Sequence, residues 1–333
     1  VTLLVVPATG VGEVRPGDDL AALLAVAWRG AGVVPQDGDV VAVTSKVVSK
    51  AEGRLVAADA DAEDPRAEAV AAETDRVVAV RGRTRIVRTR HGFVMAAAGV
   101  DASNVETGTL VLLPLDPDGS ARALREALSR HWGANVAVVL TDTAGRAWRA
   151  GQTDLAMGAA GLVVLDDHGG RADAYGNPLV VTAPAVADEV ASAAELATGK
   201  LSHSPAALVR GLDAFVLPAG DHGPGAAALV RAEDEDLFGL GAREAVLTAL
   251  EPGRAGARGF GAPATPEELG GALARVLGTG ARLSPGEDGW VLEVPPGSDR
   301  LLAAVLLACG WAARSPYDAP GGLRVGPASR IGP

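Results

Sequence analysis

The chain has 333 residues, 48% hydrophobic and 21% charged, with a net charge of −11. That is enough material for a sizeable core and two domains, and the acidic balance argues against binding along a nucleic-acid backbone. No apolar run reaches the roughly 18 residues of a membrane span, the opening VTLLVVPATG has no signal-peptide pattern, and the single Cys309 leaves no internal disulfide or cysteine zinc site, so a cytoplasmic protein free of membrane is expected.

The strand-like VTLLVVP leads through ATGVGEVRPG to a helix opening at Asp18-Asp19 and running to Trp28, with Leu20, Leu23, Leu24 and Ala27 on one face. A strand over Val40–Thr44 enters SKVVSKAEGR. Residues 57–80 read as an acidic loop and then a helix, with Pro65 at its start and helical period from Ala67 to Val80. Strands are expected near Arg85–Thr89 and Phe93–Ala97. Next come AGVDASNVETG, the strand-like TLVLLPL, and the turn-and-cap signal DPDGSA opening a helix to about Trp132. The β-branched run Val136–Leu140 predicts a strand covered on both faces, with Asp142 of LTDTAGRAWR at its carboxyl end. VVTAPAVADEVASAAELATG gives another helix and PAALVRG another short strand.

Residues 251–266, EPGRAGARGFGAPATP, read as a linker. Thr265 and Glu268 then form a capping box for a helix to about Leu277, followed by two short strands and an apolar helix from about Asp299 to Ala313. The expected organisation is a main domain over 1–250, the linker, and a small α/β accessory module over 267–333. Residues 251–333 hold eight acids and eight arginines, so the net charge resides in the first 250 residues.

Four polar constellations interrupt apolar segments at expected strand ends. Thr9-Gly10-Val11-Gly12 is a glycine-rich turn that matches neither GxxxxGK[ST] nor the full GxGxxG, so spacing favours a plain tight turn. Thr44-Ser45-Lys46 with Ser49-Lys50 sets hydroxyls and ammonium groups where phosphate oxygens can be met; the alternative is a solvated edge strand blunted by lysine. Of 30 basic residues only Lys46, Lys50 and Lys200 are lysine, so a compact ammonium is selected there over the planar guanidinium used elsewhere.

Asp101 and Asn104 can both reach one ligand, although for this stretch alone an Asx turn is the favoured reading. Asp142, Thr143, Arg146 and Arg149 form the fourth group. Two acids on adjacent strand ends suffice for Mg²⁺ or Mn²⁺, which take their other ligands from phosphates, so the combination points to metal-assisted chemistry on a phosphorylated ligand. The five histidines show no HxxxH or HExxH spacing, and no GxSxG surrounds a serine, so neither a zincin nor a serine-hydrolase reading is supported.

Taken in order, GDDLAALL, GDVVAVTSKVVSKAEGR, AGVDASNVETG, LPLDPDGSA, LTDTAGRAWRAGQTDLAMGAAGL, DAYGN, VADEVASAAELATGK and ALVRG resemble the coenzyme F420-0:L-glutamate ligase family over about residues 1–248. The resemblance implies an unusual α+β fold and a homodimer with nucleotide near the subunit interface. It implies GTP-dependent addition of L-glutamate to F420-0, first as an amide and then through the γ-carboxyl, by way of an acyl phosphate. On matching positions it makes Thr9, Gly10, Val11, Gly12, Thr44, Ser45, Lys50 and Asn104 nucleotide contacts. Asp101, Asp142 and Thr143 become ligands of Mg²⁺ or Mn²⁺, with K⁺ a candidate further cation, and Asp101, Asp142 and Lys50 the catalytic set. Charge alone makes Arg146 and Arg149 candidates for the precursor's phosphodiester or the incoming glutamate.

Two departures accompany the resemblance. After Thr198-Gly199 the chain carries KLSHSP, with Lys200 where an acid helping to bind metal is expected, so a third carboxylate is missing or supplied elsewhere. Lys200 becomes a substrate candidate that faces the phosphates, with a solvent-facing cation at the helix end as the equal alternative. The 83 residues after 250 are too short for the flavin-binding domain that follows in some relatives, so no flavin is expected.

Overall fold

A computed structural model of the chain describes residues 2–59, 63–232, 235–251, 260, 263–278, 280–286, 289–314 and 322–328. The fold is mixed α+β in two compact units: Val1–Arg76 with Gly82–Val230, and Val77–Arg81 with Arg231–Pro333.

In chain order the first unit contains β1 (Leu4–Pro7), α1 (Leu20–Gly30), β2 (Val40–Thr44), α2 (Ser45–Ala51), β3 (Leu55–Ala57), α3 (Ala67–Ala72), and the start of β4 (Thr74–Arg81). It continues with β5 (Thr84–Thr89), β6 (Val94–Ala96), β7 (Thr109–Val111), α4 (Pro117–Trp132), β8 (Ala137–Gly145), β9 (Gln152–Ala160), α5 (Val186–Thr198) and β10 (Ala206–Arg210). Its main sheet has the order β1-β10-β2-β8-β9, with β2 and β8 parallel and the other neighbours antiparallel.

Alternation along these strands feeds two cores. Val41, Val43, Val138, Leu140 and Leu208 pack with Leu20, Leu24 and Trp28 of α1 and Leu124 and Leu128 of α4. Val40, Ala42, Val139 and Val209 pack with Val186, Val190 and Ala194 of α5. Both faces of the central strands are therefore dry, as the uninterrupted Val runs require. Asp19 caps α1 by accepting from Ala22 N at 3.0 Å. Asp116 caps α4 by accepting from Gly119 N at 3.0 Å, with Pro117 in the first turn.

Three expectations about elements fail here. The helix expected to Val80 ends at Ala72, and β4 follows, because TDRVVAVR is β-branched and alternates, Val78 being buried and Val77 exposed. The strand expected to stop at Leu140 runs on to Gly145, so Asp142 lies within β8 rather than beyond it. A register shift between Leu140 and Thr141, opposite β9, falls directly before that acid. The edge-strand reading of the lysine-bearing stretch also fails, since β2 lies between β10 and β8 and the lysines sit on α2.

The second unit holds α6 (Ala242–Leu250), α7 (Pro266–Leu277), β11 (Arg282–Gly286), β12 (Gly289–Glu293), α8 (Asp299–Ala308), β13 (Trp311–Ala313) and β14 (Leu323–Pro327). Its sheet is antiparallel in the order β11-β12-β14-β13. Leu269, Leu273, Leu292, Leu302, Leu306, Trp311 and Leu323 form a core of their own. The capping box is present: Thr265 Oγ1 accepts from Glu268 N at 3.2 Å and Glu268 Oε2 from Thr265 N at 2.7 Å.

The apolar helix expected to Ala313 instead stops at Ala308. Gly310 takes a φ of +66°, and Trp311 turns into β13 with its indole Nε1 donating to Ala264 O at 2.7 Å. Residues 77–81 join this unit through Gly241 N donating to Val78 O at 2.7 Å and Val80 N to Glu244 Oε1 at 3.3 Å. Of the expected linker, residues 252–259 and 261–262 lie outside the described residues. No described helix is long and apolar enough to cross a membrane.

Candidate active site

Because β2 and β8 are parallel, Thr44, Thr141 and Thr143 all lie toward one edge of the main sheet. The antiparallel strands β10 and β9 begin at that same edge, at Ala206 and Gln152. A cavity of about 930 Å³ lies there, lined by residues from all four strands, α2, α5 and the loops after β1 and before β7.

α2 brings Lys46 and Lys50 to the cavity one helical turn apart. Lys46 Nζ donates to Asp101 Oδ2 at 2.5 Å and to Ser103 Oγ at 2.7 Å. Ser103 returns its own donors to Asp101, N to Oδ1 at 2.8 Å and Oγ to Oδ2 at 2.9 Å. Burial works upward on the Asp101 carboxyl, yet these Lys46 and Ser103 bonds together hold it below the usual carboxylate range. Lys50 is 6% exposed, with Nζ on Glu13 Oε1 at 2.5 Å. A buried ammonium whose partner comes from an exposed loop is poised to exchange that carboxylate for another anion.

The paired strands β8 and β9 shape the other part of the cavity. Thr143 faces Asp154 across the ladder. Asp154, 6% exposed, accepts from Thr141 Oγ1 at 2.9 Å and from Thr143 Oγ1 at 2.8 Å. Lys200, beyond the end of α5, donates to Thr143 Oγ1 at 2.5 Å. Glu195 of α5 also lines the cavity; burial and the Asp154 charge push its carboxyl up, against the pull of Lys200. Ser204 is 7% exposed and lines the cavity, and its Oγ has no hydrogen-bond partner.

Asp142, between the two threonines, feels Asp154, Asp101 and Lys46. Burial above all, aided by the Asp154 and Asp101 charges and opposed by a Thr143 backbone bond and Lys46, raises its carboxyl to about 7. Among the described residues no three or more His, Cys, Asp or Glu converge on one point. Two neighbouring carboxylates and a hydroxyl are nevertheless hard oxygen donors, and a carboxyl raised by burial and by nearby negative charge is one whose ionised form a cation would favour. The residues present thus fit a divalent ion that completes its shell from phosphate and water.

Of the other sequence candidates, Val11, Gly12, Thr44 and Asn104 line the cavity. Thr9 and Gly10 form the exposed turn just before, where Gly10 has a φ of +77°. Ser45 is buried at the first position of α2. Arg146 and Arg149 project from the exposed turn between β8 and β9, outside the cavity lining, with Arg146 donating only to Ala150 O at 3.4 Å. Sequence reasoning missed Asp154, Glu195, Ser204 and Glu13. The alternation Thr141-x-Thr143 with an acid just past the following turn was the available signal for Asp154.

The F420-0:Gamma-glutamyl ligase family model matches residues 10–211, which hold the whole cavity lining. The coenzyme F420:L-glutamate ligase of Methanopyrus kandleri is 40% identical over 253 residues, 71% of this chain and 98% of that protein. Its namesake from Archaeoglobus fulgidus is 39% identical over 249 residues, 70% of this chain and 95% of that protein. The one from Methanothermobacter thermautotrophicus is 38% identical over 217 residues, 61% of this chain and 86% of that protein.

Proposed function

Given that the chain belongs to the F420-0:gamma-glutamyl ligase family, we propose that it joins L-glutamate to coenzyme F420-0 at the expense of GTP. The first bond is an amide and the next a γ-glutamyl bond. A carboxylate is inert to an amine in water, so the route is activation. The carboxylate oxygen takes the γ-phosphoryl group and GDP leaves; the glutamate amine then attacks the acyl carbon and phosphate leaves with its bonding pair. The observation that carries this reading is the placing of Lys46 and Lys50 on the cavity wall inside the family segment, with Asp101 behind them on Lys46 and Asp142 within reach of the Lys46 and Asp101 charges, although neither acid lines the cavity itself.

In this scheme the protein positions and neutralises rather than forming bonds itself. Thr9 to Gly12, Thr44, Ser45 and Asn104 hold the nucleotide. Lys50 releases Glu13 to meet a phosphate, and Lys46 keeps Asp101 ionised. Asp101 and Asp142, with the remaining lone pair of the Thr143 hydroxyl, hold Mg²⁺ or Mn²⁺. The ion neutralises phosphate charge when bound. Arg146 and Arg149 serve the phosphodiester of F420-0 from their exposed turn, K⁺ is a candidate further cation, and the working form is a homodimer. Residues 267–333 serve as an accessory module without chemistry.

Incubation with F420-0, L-glutamate, GTP and Mn²⁺ and mass spectrometry of the products tests the reading. Mass gains of one and then two glutamyl residues are expected. Binding of GTP and F420-0 without any gain would leave a non-catalytic carrier. Gain with ATP but not GTP would correct the nucleotide.

A further inference from the structure

The cavity has charged groups that nucleotide and metal leave unused. Asp154, Thr143 and Lys200 form a chain: carboxylate Oδ1 to hydroxyl at 2.8 Å, hydroxyl to ammonium at 2.5 Å. Glu195 lines the same cavity as Asp154 and Lys200 and feels the charge of each. An acid and a base held two hydrogen bonds apart by a single hydroxyl can each meet the opposite charge of a small zwitterion lying between them. An α-amino acid is such a ligand, since its ammonium nitrogen and carboxylate carbon lie about 2.5 Å apart across one Cα.

Capacity remains on the two charged ends, while Thr143 keeps its last lone pair for the cation and serves the subsite only by holding them apart. An ammonium has three donors, and Lys200 spends one on Thr143. Each Asp154 oxygen accepts one threonine proton and keeps a lone pair. The threonine protons both point at Asp154, so Thr141 can only accept from anything in the cavity. Such a wall favours an N–H donor over an oxyanion. Ser204 supplies an independent sign of a missing ligand: the residue is 7% exposed and lines the same cavity, and its buried hydroxyl has no partner.

We propose that Asp154, Glu195 and Lys200, with Thr143 between them, are the subsite for the zwitterionic head of the incoming amino acid. Asp154 and Glu195 take its ammonium group and Lys200 its α-carboxylate. The proposal rests on the ligase reading given above and assigns one of its substrates a place. Occupying this end of the cavity sets the amine on the β9 and α5 side, leaving the α2 lysines to the phosphates. It also gives Lys200 a role that requires no metal-binding acid at its position.

The test uses the full-length chain with Glu195→Gln and Lys200→Met, both at positions outside the dry core. Initial rates are measured against L-glutamate and, separately, against GTP. Each variant is expected to raise KM for L-glutamate about tenfold or more, the effect of losing one charge-assisted hydrogen bond. KM for GTP should stay within about twofold, a split that general loosening of the fold would not produce. A raised KM for GTP with KM for L-glutamate unchanged would overturn the proposal and give this wall to the nucleotide.

Binding of ¹⁵N-labelled L-glutamate, followed by NMR with GDP present, gives a second readout that needs no turnover. Wild-type binding lost in both variants supports the subsite even if no product forms and the ligase reading itself fails. Absence of wild-type binding from a protein that makes glutamylated product, or equal binding by the variants, would refute the subsite while leaving the ligase reading intact.

Discussion

Asp142 is held in a state that costs the ligand-free protein stability. Its folded carboxyl titrates near 7, whereas the unfolded one titrates near 3.9, so the folded chain binds that proton more tightly. Stability from this group is therefore greatest below about pH 4, declines as pH rises toward 7, and stays reduced above it. In chelated protein, Asp142→Asn should raise the unfolding free energy at pH 8 by about 1–3 kcal/mol and do little at pH 4.5, as read by urea denaturation. Turnover should fall by two orders of magnitude or more, because an amide cannot replace the charge at a cation. Equal destabilisation at both pH values would show that the carboxyl is simply a structural acceptor. Mn²⁺ should stabilise the wild type at pH 8 and the variant much less.

Lys50 makes a different kind of demand. Its ammonium is almost wholly enclosed and meets Glu13 at 2.5 Å, so a bulkier guanidinium retains the charge but not the fit. Lys50→Arg should weaken GTP binding about tenfold by calorimetry, whereas Arg→Lys at the exposed Arg130 should not register. Unchanged affinity in Lys50→Arg would mean that the nucleotide lies elsewhere. The scarcity of lysine made Lys46 and Lys50 legible in the sequence, and motif order made Asp101 and Asp142 so. Asp154 was not legible, because its meaning comes from facing Thr143 across a ladder whose register the sequence does not print.

At the scale of elements, β9 was the largest omission. QTDLAMGAA has no β-branched residue after Thr153 and reads as helix as readily as strand. Its small residues answer to a neighbour instead. A Cβ on Gly158 would lie 2.3 Å from Pro117 O, so the first turn of α4 sits directly against this strand. Gly158→Ala should accordingly cost about 1–3 kcal/mol in urea denaturation. A neutral result would mean that α4 can lift away without penalty. Elements whose signal was local, such as the capped helices α1, α4 and α7 and the Val-rich β2 and core of β8, were legible. Those decided by what packs against them were not: the β4 turn-off after Ala72 and the end of α8 at Gly310 belong with β9.

At the scale of the whole molecule, the second unit has its own hydrophobic core, and α6 packs on α8 within it. A chain ending at Leu250 keeps α6 but deletes α8, exposing Val246 and neighbouring apolar groups further. That truncated protein should still add glutamate, with a greater tendency to aggregate by light scattering. If it is monodisperse and binds GTP yet yields no product, the accessory reading of residues 267–333 is wrong and they contribute to catalysis.

The union of Val77–Arg81 with residues after 230 also has a cost in time. The bond from Val80 N to Glu244 Oε1 joins positions 164 apart in sequence. On the ribosome, at about 5–20 residues per second, the early segment must wait on the order of ten seconds or more for its partner to be made. The intervening main-sheet unit can fold in that interval, but the valines of β4 cannot yet be covered by the second unit. β5 can pair with β4 at once, so what waits is the Val78 carbonyl and the Val80 N–H, which lack their late partners and leave that edge open to false pairing. Slow synthesis should therefore harm the yield of this protein more than that of one whose units are each continuous in sequence.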